Sequence, residues 1–125
     1  DDVEYTGSYG GKSLHEQSHG ESFLSLLTYR FRGNGLYLLD EPEAALSPSR
    51  QLSALVLIHQ LVKKQSQFII ATHSPIIMAY PHAKIYHLSD SEIREVDYTE
   101  TEHYQVTKDF LSQREKMLEI LMREE

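Results

Sequence analysis

A chain of 125 residues with 40% hydrophobic content is sized for one domain around one core. It has no cysteine, which excludes a disulfide framework and a thiolate zinc site, and no apolar run approaches the roughly 20 residues that span a bilayer. Most of the net charge of -7 lies in the tail: residues 1–89 hold 8 acidic and 7 basic side chains and residues 90–125 hold 11 and 5, and there is no basic stripe for nucleic acid.

Residues 1–13, DDVEYTGSYGGKS, carry three glycines and little apolar periodicity, and read as an irregular lead-in. From Glu21 onward Phe23, Leu24, Leu27 and Phe31 recur at helical spacing, a pattern that Gly33-Asn34-Gly35 stops. Leu36 to Leu39 is an unbroken apolar run ending at Asp40-Glu41, which predicts a strand buried on both faces. Ser47-Pro48 opens a second helix, with serine as N-cap and proline at the first position, where its missing N–H is harmless. That helix runs to about Lys64, with Leu52, Leu55, Val56, His59 and Val62 on one face, widened by Leu57, Ile58 and Leu61. Gln67 to Thr72 is a second buried strand, and the strand–helix–strand order predicts parallel pairing with a right-handed crossover. Residues 84–89 and 92–97 alternate around Asp90-Ser91 as a hairpin. A charged amphipathic helix with Phe110, Leu111, Met117, Leu118 and Leu121 on one side closes the chain. The fold class is mixed α/β.

Two motifs point the wrong way. His15-Glu16-Gln17-Ser18-His19 spells H-E-x-x-H, the zinc-protease pattern, which needs one helix through both histidines. Gly10-Gly11 and Gly20 confine any such helix to barely two turns, and His59, His73, His82, His87 and His103 offer no third ligand at a recognised spacing. A metallopeptidase is therefore the third-ranked reading. Gly7-Ser8-Tyr9-Gly10-Gly11-Lys12-Ser13 resembles a phosphate loop but is one residue short, and Asp1 to Tyr5 before it is too short and acidic for a buried strand.

The stretch Ser18-His19-Gly20-Glu21 reads better as a capping box, with Ser18 and Glu21 satisfying each other's backbone N–H groups. Gly20 leaves first-turn N–H groups open, and a helix N-terminus attracts phosphate. Asp40 and Glu41 end one strand and Thr72-His73-Ser74-Pro75 end the next; ligands of open parallel sheets bind at that end. Of two adjacent carboxylates, one can hold Mg2+ through water while the other orients or deprotonates a water molecule.

Together these residues resemble ABC-type ATPases. Leu36 to Pro42 is similar to the Walker B strand, Ala45-Leu46-Ser47-Pro48 to the D-loop, Ala71 to Pro75 to the switch-histidine loop, and Gln17 to Glu21 to the signature motif. The four motifs stand in family order over roughly residues 14–89. His19 and Glu21, where transporters usually carry Gly and Gln, bring the chain closer to the AAA-type or RecF/SMC-like soluble ATPases.

The resemblance implies a P-loop NTPase fold: the C-terminal half of an ABC ATPase-like domain over residues 1–97 and an acidic helical tail over 98–125. It implies ATP and Mg2+ as ligands, Glu41 as catalytic base, His73 on the γ-phosphate, and Asp40 supporting the metal. Ser18, Gly20 and Glu21 are expected at the ATP of a second, head-to-tail copy, with Ser47 passing information between sites. The Walker A loop is expected upstream of Asp1, so the chain alone is expected to be inactive and the full-length protein to be a cytoplasmic ATPase. Nucleic acid is a conceivable partner of the whole protein that this segment does not support. The alternative is a protein-interaction module, derived from an ATPase, that uses its acidic tail and hydrolyses nothing.

Overall fold

The computed structural model describes residues 19–124, with side chains from Phe23 onward. They fall into two compact units, the first reaching Ile77 and the second beginning at Met78. Among the described residues, no helix is long and apolar enough to cross a membrane.

In the first unit, helix α1 (His19–Tyr29) leads to strand β1 (Leu36–Asp40), a 3-10 turn (Pro42–Ala45), helix α2 (Pro48–Lys63) and strand β2 (Gln67–Ala71). The two strands pair in parallel, Leu36 opposite Gln67 through to Asp40 opposite Ala71, as a strand–helix–strand unit requires. Ser47 caps α2 by accepting from the Arg50 N–H, with Pro48 at its first turn. The core gathers Leu26, Leu27, Phe31, Leu46, Ala54, Ile58, Leu61 and Ile77, backed by Tyr37, Leu39, Phe68 and Ile70 from one face of the sheet. Burying side chains the size of Ile58 or Leu61 stabilises by roughly 1.5–3 kcal/mol each.

Three expectations for this unit need correction. The strands are covered on one face only: Leu36, Leu38 and Ile69 are 59%, 68% and 55% exposed. An unbroken apolar run is silent about which face is covered, whereas the structure alternates. The face of α2 is rotated, so that Ala54, Ile58 and Leu61 are buried while Leu52, Val56 and His59 are exposed. Ala54 is fully buried. Finally, α1 stops at Tyr29, short of the glycines, and Phe31 enters the core from the loop that follows.

That loop is held from both ends. Tyr37 lies flat on Phe31 with ring centroids 4.0 Å apart, and its hydroxyl accepts from the Arg32 N–H at 2.7 Å and donates to the Arg32 carbonyl at 2.9 Å. Ser66 Oγ donates to the same carbonyl at 2.6 Å. Asn34 adopts a left-handed backbone, φ 61°, in the turn.

In the second unit, β3 (Ile85–Leu88) and β4 (Ile93–Val96) form an antiparallel hairpin, closed by the Ser89 N–H donating to the Glu92 carbonyl across Asp90-Ser91. A 3-10 turn (Tyr98–Glu100) follows, and Thr101 caps helix α3 (Glu102–Ser112) by accepting from the Tyr104 N–H. The expected single tail helix is two: the backbone leaves the helical region at Gln113 and α4 (Arg114–Leu121) begins anew. The apolar spacing of Phe110, Leu111, Met117 and Leu118 gives no sign of this break, because no glycine or proline marks residues 111–114. Leu111 and Leu121, 68% and 69% exposed, are not on a covered face.

Candidate functional site

Because Asp40 stands opposite Ala71 in a parallel pair, the loops that leave β1 and β2 emerge at the same sheet end. The sequence-predicted acids and His73 are thereby brought to one edge. The ladder runs one residue past β1, with the Glu41 N–H donating to the Ala71 carbonyl at 2.7 Å. The chain then turns sharply. Glu41 sits in the left-handed region, φ 47° and ψ 56°, a conformation costing a non-glycine residue on the order of 1 kcal/mol or more, and Pro42 starts the 3-10 turn. Asp40, Glu41 and His73 are all exposed.

The second residue of that turn joins the two loops. Glu43 accepts from Thr72 Oγ1 on one carboxylate oxygen at 2.6 Å and from the His73 N–H on the other at 2.9 Å. Partial burial pushes its carboxyl up, but the Thr72 hydroxyl, the backbone N–H groups of His73 and of Glu43 itself, and the nearby His73 charge outweigh this and hold it below the ordinary value. Thr72 Oγ1 in turn accepts from the Ser74 N–H at 3.0 Å. Buried Ser74 accepts through Oγ from the N–H groups of Ile76 and Ile77, both at 3.1 Å, and donates to Gln51 Oε1. Gln51 also donates from Nε2 to the Leu46 carbonyl at 3.1 Å.

Ser47 is exposed at the start of α2, one residue after Leu46, and Ser49 Oγ lies 3.3 Å from its hydroxyl. His19, Gly20 and Glu21 form the first turn of α1. Ser18, like His15 and the glycine-rich stretch 7–13, lies outside the described residues. Glu43 and Gln51 were not singled out from sequence. The signal for Glu43 was a third acid directly after Glu41-Pro42; Gln51 had none, being one polar residue in a helix first turn.

A family model described as "AAA domain, putative AbiEii toxin, Type IV TA system" matches residues 12–79, more than half of the chain. The matched stretch includes both site loops. No curated protein matches the chain.

Proposed function

The chain belongs to this family of AAA, P-loop ATPase-type domains, and from that premise we propose that it serves an ABC-type ATPase of the RecF/SMC-like branch, hydrolysing ATP between two copies set head to tail. The observation that carries the reading is the shared sheet end, where the acid pair's turn and the His73 loop meet through Glu43.

Asp40 offers one hard carboxylate oxygen. Asp40 is the side chain that would hold Mg2+, an ion usually bound through one or two carboxylates together with waters and substrate phosphates; among the described residues no group of three His, Cys, Asp or Glu side chains gathers for a metal. Bound with ATP, Mg2+ supplies charge neutralisation at the phosphates. Glu41 takes the proton of the attacking water as its oxygen bonds to the γ-phosphorus and the bond to the β–γ bridging oxygen breaks, giving ADP and phosphate. The left-handed turn holds that carboxylate at the strand end before substrate arrives, and positioning of this kind supplies most of the catalysis in phosphoryl transfer. His73 donates from its imidazole to a γ-phosphate oxygen while its backbone stays on Glu43. Ser18, Gly20 and Glu21 meet the γ-phosphate bound to the other copy, and Ser47 lies between the sites.

The phosphate-wrapping Walker A loop comes from a segment outside residues 19–77. The open apolar face made by Leu36, Leu38 and Ile69 supports a further layer of the same domain, supplied with that loop.

The test is magnesium-dependent phosphate release by the full-length protein and by its Glu41→Gln variant. Removal of the base is expected to lower kcat about 100-fold or more, and the variant is expected to dimerise on ATP in light scattering. Hydrolysis at the wild-type rate by Glu41→Gln would sink the assignment.

A further inference from the structure

We propose, resting on the ATPase reading above, that Glu43 is a positioning residue that fixes the switch loop to the turn of Glu41, so that the water-activating carboxylate and His73 move as one body. Both of its carboxylate oxygens are engaged by the loop, one by the Thr72 hydroxyl and one by the His73 backbone N–H. Glu43 is two residues from Glu41 along a short 3-10 turn, which leaves little slack between them. The Thr72 hydroxyl accepts from the Ser74 N–H, so its own proton is directed to Glu43, and a neutral apolar side chain there would leave that donor and the His73 N–H without their acceptor.

Gln51 makes a second attachment two residues along the loop. It takes the Ser74 hydroxyl on its carbonyl and gives its amide to the Leu46 carbonyl, immediately before Ser47. His73 therefore lies between two anchored neighbours, Thr72 and Ser74. One anchor leads to Glu41 and the other to Ser47, so three of the proposed functional positions, Glu41, Ser47 and His73, share one hydrogen-bonded frame. A purely structural bond would need only to hold the loop in the fold. This frame ties the loop's histidine to the residues that border the substrate.

The test uses the full-length protein with ATP and Mg2+, comparing wild type, Glu43→Ala, Glu43→Gln, His73→Ala and the Glu43→Ala/His73→Ala double variant under single-turnover conditions. Glu43→Ala is expected to lower the rate about tenfold while the KM for ATP stays within about twofold, since positioning acts on the transition state and not on ground-state binding. It is expected to lower the rate no further once His73 is gone. If Glu43→Ala fails to fold, as judged by its thermal melt, near-isosteric Glu43→Gln replaces it in the cycle and is expected to lower the rate in the same His73-dependent way. The proposal is overturned if the Glu43 variants turn over at the wild-type rate, or if their loss is the same factor with and without His73. An inert wild type, or full activity in Glu41→Gln, defeats the ATPase reading and this proposal with it; loss in Glu41→Gln and His73→Ala with full activity in Glu43→Gln defeats this proposal alone.

Discussion

Glu43 carries more of the local architecture than its exposed neighbours. Its carboxyl sits below the ordinary value of 4.5, chiefly because hydrogen bonds from the Thr72–His73 segment outweigh the opposing effect of burial. A group whose folded-state pKa is depressed contributes stability above its unfolded value and loses it as pH falls through the folded one. The melting temperature of the wild type is therefore expected to exceed that of Glu43→Gln near pH 6, with the gap shrinking as the pH falls below 4.5. A gap that stays constant across that range would mean that the ionised form is not what the loop holds. Much of this was hidden in the sequence. Asp40, Glu41, Ser47 and His73 stand out in the sequence through their resemblance to ATPase motifs, but a carboxylate that bonds a loop some 30 residues away has no periodic signal.

At the scale of elements, the turn between α1 and β1 depends on two missing side chains, the first at Gly33, where a Cβ would lie 2.6 Å from the Lys64 carbonyl oxygen. A Cβ at Gly35 would lie 2.6 Å from the Tyr37 ring, which folds back over it to reach Phe31 and Arg32. Gly35→Ala is expected to displace that ring and to destabilise the unit by about 1–3 kcal/mol in urea unfolding; an unchanged midpoint would show that the ring has room elsewhere. The elements most legible in the sequence were those marked by stereochemistry: the Ser47-Pro48 helix start and the hairpin at Asp90-Ser91. Side selection was not legible. Helix α2 carries apolar residues at Leu52, Leu55, Val56, Leu57, Ile58, Leu61 and Val62, around most of its circumference, so its pattern alone does not choose the face.

Taken as a whole, the described chain leaves an apolar sheet face open at Leu36, Leu38 and Ile69. An exposed apolar patch of this kind favours association with another surface. The 125-residue chain by itself is expected to self-associate at micromolar concentrations, and Leu38→Lys with Ile69→Lys to reduce that in sedimentation; a strictly monomeric parent chain would count against the face being sticky. At this scale the α/β class and the parallel unit were readable from strand–helix–strand order, because chain connectivity limits the choices. The uncovered face was not, since it depends on what lies beside the sheet. The left-handed bend at Glu41 has one more implication. Glycine adopts that shape without strain, so a library selected for thermal robustness alone should drift away from the acid at this position. Any enrichment of glutamate there under a growth selection would measure a demand that folding does not make.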